Sequence, residues 1–153
     1  MTPRIVEGGL EDARVQALVA LHQRKAREAT AEGFAFALDL SGLRAPEIRF
    51  FGAWDGEALL GVGALKRMTP KHGEVKSMHT AETARRRGVG AAMLRHIVGQ
   101  ARAAGMARVS LETGTAAYFQ AAVAMYLAAG FVPCGAFGDY AASSENRFLT
   151  LIL

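Results

Sequence analysis

The chain has 153 residues, 51% of them hydrophobic and 21% charged, which excludes a disordered chain and predicts one globular domain spanning residues 1–153. Its formal net charge of +4 suits an anionic small ligand. The single cysteine, Cys134, excludes an internal disulfide, and no apolar run approaches the ~20 residues of a membrane helix. The N-terminal residues lack a signal-peptide pattern, so we expect a cytoplasmic protein without a membrane partner.

The N-terminal third begins with a strand, predicted at Arg4–Glu7, and continues with a helix pattern. Residues 23–32 are charged and rich in alanine, and they either continue that helix or form a second one. His22 is predicted to be a partly exposed helix residue rather than a ligand. Residues 33–46 are irregular, with a short extended piece from Phe34 to Leu40, and we expect them to form a wall of the substrate site.

The middle of the chain predicts an antiparallel meander of three strands. Residues 47–54 and 57–67 have strand patterns and are joined by Asp55-Gly56, which is a strong hairpin signal. Residues 68–73 are expected to form a polar loop, and residues 74–80 form the third strand.

The C-terminal half predicts two further helices and three strands. Apolar residues at a spacing near 3.6 predict a helix over residues 88–105, which crosses over to a parallel strand at 109–113. The next helix is predicted at 116–129 and is followed by a short strand at 131–132. Residues 148–153 are apolar on both alternating faces, which predicts a strand packed within the sheet.

The turn before the helix at 88–105 has the features of an anion site. Three consecutive arginines precede Gly88 and Gly90, and glycine allows backbone amides to approach a ligand closely. A helix N-terminus also has unpaired N–H groups and a partial positive charge, so the turn predicts phosphate binding. Neither the Walker A loop nor the dinucleotide fingerprint fits these glycines. The alternative is an ordinary strand-to-helix loop with solvated arginines.

Three segments, in order, resemble the GNAT superfamily of N-acetyltransferases. Arg85-x-x-Gly88-x-Gly90 is similar to the Arg/Gln-x-x-Gly-x-Gly/Ala signature of that superfamily. Leu111–Gly114 and Ala122–Phe131 are similar to the segments that follow it, and the likeness runs from about Trp54 to the C-terminus. Residues 73–78 and Phe137–Tyr140 also resemble a bacterial subgroup of acetyltransferases.

The resemblance implies a mixed α/β (α+β) fold. Its centre would be a mostly antiparallel, twisted sheet with one splayed parallel strand pair, flanked by about four helices. Two positions depart from the family pattern, because Phe119 stands where many relatives have asparagine and Glu82 stands where proline is usual. Contacts made by that asparagine in relatives are therefore in doubt here.

The resemblance also implies the chemistry, which is transfer of an acetyl group from acetyl-CoA to a primary amine of a small molecule or peptide. The amine would attack the thioester directly, with Glu74 as the base and Tyr126 as the acid that protonates the leaving thiolate. Glu112 and Tyr140 are expected on the acceptor side. The implied donor-binding residues are Met78, His79, Thr80, Arg85, Arg86, Arg87, Gly88, Val89, Gly90 and Ala91. The sequence has no cluster with metal-ligand spacing, so we expect no metal.

The two catalytic assignments have alternatives. Glu74 would otherwise be a surface strand residue paired with Lys76 or Arg67, and Glu112 or a water chain would then supply the base. Tyr126 would otherwise be a core aromatic residue, since an aromatic at helical spacing is usually buried. Strand alternation also predicts that His79 lies on the face opposite Glu74, which disfavours His79 as the base.

Two other functions remain open on the sequence alone. One is a catalytically inactive sensor that binds acyl-CoA. The other is a basic nucleic-acid-binding protein, which is disfavoured because aromatic residues do not interleave with the basic cluster. We therefore expect CoA and a small-molecule amine as partners and no nucleic acid. Dimers are common among relatives, so a homodimer is an open alternative.

Overall fold

A computed structural model describes residues 2–153 of the chain as seven strands and four α-helices. The strands are β1 (Arg4–Glu7), β2 (Ile48–Asp55), β3 (Ala58–Thr69), β4 (His72–Thr80), β5 (Arg108–Gly114), β6 (Val132–Pro133) and β7 (Asn146–Ile152). The helices are α1 (Ala13–Glu28), α2 (Leu40–Leu43), α3 (Val89–Ala103) and α4 (Gln120–Ala128). Short 3-10 turns at Glu82–Ala84 and Ala117–Phe119 precede α3 and α4.

The strands form one sheet in the order β1-β2-β3-β4-β5-β7-β6. Within residues 2–153, β4 and β5 are the parallel pair and the other neighbours are antiparallel. The predicted mixed fold with about four helices is confirmed. The Asp55-Gly56 hairpin is also confirmed, and Gly56 has the positive φ of 58° that such turns favour. Strand β7 lies between β5 and β6, inside the sheet as predicted.

One local prediction is wrong. The predicted polar loop at residues 68–73 is a tight turn, because Thr69 of β3 already pairs with His72 of β4.

The segment in which the sequence predicts a short extended piece, Phe34 to Leu40, joins no strand of the described chain. At its end, the Asp39 side chain accepts a hydrogen bond from the Gly42 amide at 2.8 Å and caps the short helix α2.

Helix α1 is continuous to Glu28, so the charged residues after His22 extend it and form no second helix. Its first turn is capped by Asp12, which accepts a hydrogen bond from the Arg14 amide at 2.8 Å. Its apolar side packs on one face of the sheet, which we call the α1 face, through Val15, Leu18, Val19, Phe50, Val62 and Ala64.

Helices α3 and α4 cover the opposite face, which we call the α3 face. The core there has contributions from the sheet and from both helices, among them Phe51, Leu65, Val75, Met93, Ile97, Tyr126 and Phe131. Because both faces of the sheet are covered, its central strands are buried on both sides, which is why β2 and β3 read as continuous apolar runs.

The parallel pair separates partway along its length. Pairing between β4 and β5 runs from His72–Arg108 to Glu74–Ser110. Beyond that point β4 continues to Thr80 and β5 to Gly114, and no pairing joins them within residues 2–153. The gap between the two strands therefore opens immediately after Glu74. This is the splayed pair that the fold prediction included.

A β-bulge in β4 lies at the start of this gap. Lys76 is opposite Ala64 and His79 is opposite Val62, so between these pairs one residue of β3, Gly63, faces two residues of β4, Ser77 and Met78. Ser77 absorbs the extra residue with a φ of 57°, in the left-handed region. Directly opposite residues share a face, and Ala64 and Val62 both belong to the α1-face core. Lys76 and His79 consequently both point to the α1 face.

Candidate active site

A cleft of about 670 Å³ passes through the gap between β4 and β5. Its walls come from both faces of the sheet, with the N-terminus of α3 and one side of α4 on the α3 face and residues 34–37 and α1 on the α1 face. The sequence-predicted residues that line it are Glu74, Met78, His79, Thr80, Arg85, Arg86, Gly88, Val89, Gly90, Ala91, Glu112 and Tyr126. Arg87 and Tyr140 are outside this lining, although Tyr140 touches Glu74.

The α3 end of the cleft is built by the turn before that helix. Arg86 has a φ of 64° and Gly88, the N-cap of α3, has a φ of 78°. A left-handed residue followed by a helix turns successive amides toward one point, which forms an anion-binding concavity. The N-terminal partial charge of the 15-residue helix adds to it. The exposed side chains of Arg85 and Arg86 lie at the same end.

The two glycines of the turn have different roles. Gly88 needs its conformation, because a side chain there would be strained at a φ of 78° even though nothing lies within 4 Å of an added Cβ. Gly90 needs space, because an added Cβ would lie 2.9 Å from Met125 Sδ and 3.5 Å from Thr80 Oγ1. Both neighbours line the cleft, so the absence of a side chain at Gly90 keeps the cleft wide between α3 and α4.

Glu74 lies where the strands separate and is 3% exposed. Its Oε2 accepts hydrogen bonds from Lys76 Nζ at 3.0 Å and from the Tyr140 hydroxyl at 2.6 Å. Lys76 Nζ also donates to the Tyr140 hydroxyl oxygen at 2.9 Å. The alternative of a surface residue is therefore wrong for Glu74, while its pairing with Lys76 is correct. Within residues 2–153 no hydrogen bond reaches Oε1, the second oxygen of the carboxylate.

Tyr140 has a raised pKa, because it is buried and because its hydroxyl adjoins the Glu74 carboxylate. The hydroxyl is therefore protonated at neutral pH and donates its hydrogen bond. Together with Lys76 it compensates a carboxylate that would otherwise be buried without partners, which is costly in a protein interior.

A second carboxylate, Glu112, lies on the same face of the sheet. Ser110 is opposite Glu74, and Glu112 follows two residues later along β5, where the gap has opened. Asn146 Nδ2 donates to Glu112 Oε2 at 2.6 Å. Burial is the largest influence on the pKa of Glu112 and raises it, while the hydrogen bond from Asn146 acts in the opposite direction. Two carboxylates thus flank the opening of the cleft toward the α1 face.

Tyr126 lies on the other side of the gap, on α4. Its side chain belongs to the α3-face core and is 6% exposed, yet it also lines the cleft. Burial raises its pKa, so the hydroxyl is protonated at neutral pH. No hydrogen bond to this hydroxyl is present within the described part of the chain. It is a core residue, as the alternative from the sequence predicted, and its hydroxyl lies next to the cleft. Its role as the acid stays a prediction.

The prediction for the side of the sheet on which His79 lies is wrong. Strict strand alternation would place His79 on the face opposite Glu74, but the extra residue of the bulge at Ser77 shifts the alternation by one position. His79 therefore lies on the same face as Glu74 and Lys76. Its Nδ1 lies 3.0 Å from Nδ1 of His22, which is a partly exposed helix residue as predicted. Burial lowers the pKa of both imidazoles to about 4, so both are neutral at pH 7 and one donates to the other.

Sequence reasoning named Lys76 only as the partner of a surface glutamate, and it missed two other contacts of the site. Residues two apart on a strand point the same way, which is why the pairing of Lys76 with Glu74 could be found. The contacts of Asn146 with Glu112 and of His22 with His79 carry no such signal, since they depend on how distant elements pack. Within residues 2–153 no group of three or more candidate ligands could hold a metal ion. The same residues include no helix that is long and apolar enough to cross a membrane.

Comparison with known proteins connects this geometry to one family. The model of the Acetyltransferase (GNAT) family matches residues 14–131. The Escherichia coli K12 protein named "Uncharacterized N-acetyltransferase YedL" is 46% identical over 139 residues, covering 91% of this chain and 87% of the relative. The "IAA acetyltransferase" of Azospirillum brasilense is 36% identical over 144 residues, covering 94% of this chain and 92% of the relative.

Solved structures share the fold over nearly the whole chain. A Klebsiella pneumoniae protein described as an acyl-CoA N-acyltransferase superposes with a TM-score of 0.83 at 24% identity, covering 99% of this chain and 97% of that one. An Elizabethkingia anophelis GNAT family acetyltransferase with acetyl-CoA bound has a TM-score of 0.74 at 15% identity, covering 99% of each chain. At these identities the likeness concerns the fold alone.

Proposed function

This chain belongs to the GNAT family of acetyltransferases, and from that premise we propose that it transfers the acetyl group of acetyl-CoA to a primary amine of a small molecule or peptide. One observation carries the proposal. The gap between β4 and β5 connects an anion-binding turn on the α3 face with two carboxylates on the α1 face. A donor with phosphates and an acceptor with an amine could therefore meet in the gap from opposite sides.

The donor is assigned to the α3 face. The phosphates of acetyl-CoA would lie on the amides of the turn from Arg85 to Ala91, where the φ values of Arg86 and Gly88 favour an anion. The pantetheine arm would follow residues 78–80, whose backbone has no strand partner on the β5 side. An amide there would donate to the thioester oxygen as negative charge develops on it. The acetyl-CoA bound to the Elizabethkingia anophelis protein supports this choice of donor.

The acceptor amine arrives protonated, since the reference pKa of such an amine is near ~10.4. Glu74 is assigned the base, because Oε2 is held by Lys76 and Tyr140 while Oε1 is free for the proton. The neutral nitrogen then forms a bond to the thioester carbon, the carbon–sulfur bond breaks, and the nitrogen loses its second proton to water. The leaving thiolate takes the proton of the Tyr126 hydroxyl, which burial keeps protonated until that step. Tyr126 then takes a proton from water and Glu74 releases one, so that each transfer sets free one proton in all. Glu112 is assigned to the incoming ammonium, and it is the next candidate for the base.

The experiment combines calorimetric titration of acetyl-CoA with a turnover assay over a panel of primary amines. We expect saturable binding of acetyl-CoA and release of CoA that requires an amine. Binding without turnover of any amine would favour the inactive sensor instead. Titration with DNA is the control for the nucleic-acid alternative, and DNA binding at the affinity of acetyl-CoA would contradict the proposal.

Three further expectations belong to this proposal. We infer that residues 1–153 act as one catalytic domain and that the protein is cytoplasmic. In solution we expect either a monomer or a homodimer. Light scattering on the purified protein measures the mass in solution. Limited proteolysis tests the single domain, which predicts loss of the whole chain without a stable fragment.

A further inference from the structure

The acceptor side of the cleft has a wall of exposed aromatic residues. Phe34 and Phe36 are 37% and 40% exposed, and both line the cleft on the α1 face. They belong to a segment without strand or helix that also contributes Ala35 and Ala37. Scattered exposed apolar residues are ordinary, but two phenylalanines gathered in a cleft are typical of a ligand-binding surface. We call Phe34 and Phe36 the aromatic wall.

Each residue of the aromatic wall is tied to one of the two carboxylates. Asn146 Nδ2 donates to the carbonyl oxygen of Phe34 at 3.2 Å and to Glu112 at 2.6 Å. One side-chain amide therefore holds both groups in a fixed relation. The connection holds the backbone of Phe34 one side chain away from the Glu112 carboxylate.

Phe36 is tied to Glu74 in a similar way. Its ring packs edge-on against Tyr140 with 5.2 Å between centroids, and the Tyr140 hydroxyl donates to Glu74. Tyr140 is itself supported by Phe137 and Phe148, at 5.3 Å and 5.7 Å between centroids. The ring of Phe36 is thus backed by an aromatic cluster, although its own outer side is exposed.

The charges in the cleft restrict the acceptor further. Glu74 and Glu112 are the carboxylates among its described lining residues, and Lys76 already compensates Glu74. A molecule with several ammonium groups would need further acidic partners, and the described lining of the cleft has none besides these two. One ammonium group with an apolar remainder matches the site better than a polyamine or an aminoglycoside does.

We propose that the acceptor is a primary amine joined by a short alkyl chain to an aromatic ring, with the ring against Phe34 and Phe36 and the ammonium group between Glu74 and Glu112. This inference rests on the acetyl transfer proposed above and specifies its substrate class. The ring takes no part in the chemistry. It supplies binding, because aromatic rings meet edge-on or in offset stacks more favourably than aliphatic groups of equal size.

The test compares two amines that have a single ammonium group with a polyamine. Phenethylamine, cyclohexylethylamine and spermidine are assayed with acetyl-CoA, and kcat/KM is measured for each. The first two differ in the aromaticity of the ring at nearly constant size. We expect kcat/KM for phenethylamine to exceed that for cyclohexylethylamine by about tenfold, and that for spermidine by more. Equal values for the two ring amines, or a preference for spermidine, would overturn the proposal.

Substitutions in the aromatic wall test whether it causes the preference for phenethylamine. Phe36→Ala should raise KM for phenethylamine, change its kcat little, and bring the two ring amines to similar kcat/KM. Val132→Ala is the matched control, since it removes another exposed apolar side chain on the edge strand β6, outside the cleft. It should preserve the preference for phenethylamine. A preference that survives Phe36→Ala and Phe34→Ala would refute the role of the aromatic wall.

A binding measurement separates this inference from the proposed function. Phenethylamine is titrated into the protein saturated with CoA, and phenylpropionate, which carries a carboxylate in place of the ammonium group, is titrated in parallel. If phenethylamine binds selectively, Phe36→Ala weakens that binding and no turnover occurs, acetyl transfer is refuted and the aromatic amine site is supported. If aliphatic amines are turned over and phenethylamine does not bind, the aromatic amine site is refuted and acetyl transfer is supported. Tighter binding of phenylpropionate would refute the ammonium site.

Discussion

Replacing Glu74 by glutamine tests the assignment of the base most directly. Glutamine has the size of glutamate and can still accept hydrogen bonds from Lys76 and Tyr140, but it cannot take a proton at neutral pH. Loss of a positioned base lowers turnover by roughly 10²–10⁴. At 1.36 kcal/mol for each factor of ten, this is a rise of about 2.7–5.4 kcal/mol in the activation barrier.

The same change also removes one partner of a buried ion pair. The side chains of Glu74 and Lys76 are 4% and 10% exposed, and removing one charge from such a pair costs about 3–5 kcal/mol of folding free energy. The retained hydrogen bonds place Glu74→Gln at the lower end of that range. Because this cost is similar in size to the catalytic effect, loss of activity alone would not distinguish a base from a structural residue.

A double variant separates the two effects. Glu74→Gln with Lys76→Met removes both charges and leaves no unpaired ammonium group, so most of the lost stability should return. If Glu74 is the base, turnover stays low in the double variant although the melting temperature recovers. The measurements are kcat/KM, acetyl-CoA affinity by calorimetry, and the melting temperature, all at one pH.

The pH profile gives an independent readout. In Glu74→Gln kcat/KM should rise with pH in proportion to the deprotonated fraction of the amine, because no side chain is left to remove the proton. The wild type should depend less on the state of the amine, so the deficit of the variant should shrink as the pH rises. Full activity in either variant would refute the assignment, and Glu112 would be the next residue to replace. A raised KM for the amine with the pH profile of the wild type would mean that Glu74 only orients the ammonium group.

Three further predictions concern the donor and the leaving group. The double variant Arg85→Ala/Arg86→Ala should weaken CoA binding and reduce its salt dependence. The control Arg87→Ala, outside the cleft lining, should do neither, and an equal loss of CoA affinity in the double variant and in the control would contradict the assignment. Gly88→Ala should cost about 1–2 kcal/mol of stability because of its positive φ and also weaken CoA binding, while Gly99→Ala, with open space and ordinary helical geometry, should be neutral or stabilising in thermal unfolding. Tyr126→Phe should lower kcat and leave acetyl-CoA affinity unchanged, and an undiminished kcat would establish it as a core residue alone.

The sequence by itself determined the features that arise from neighbouring residues. The hairpin at Asp55-Gly56 follows from a local backbone preference, and the helix after Gly88 follows from apolar periodicity. The anion-binding turn is contiguous, from Arg85 to Gly90, so it could be found before any tertiary structure was known. The family resemblance then singled out Glu74 and Tyr126, and the structure places both at the cleft although their catalytic roles remain proposals.

Only the tertiary structure decided what surrounds those residues. Tyr140 lies 66 residues from Glu74, Asn146 lies 34 from Glu112, and His22 lies 57 from His79. No local pattern encodes such separations, because the contacts depend on the register of β5 against β7 and on the docking of α1. The bulge at Ser77 is also invisible in the sequence, since a serine at a φ of 57° is stabilised by the strands around it. That one residue reverses the alternation of β4 and brings His79 to the face of Glu74, which strand periodicity alone assigned to the opposite side.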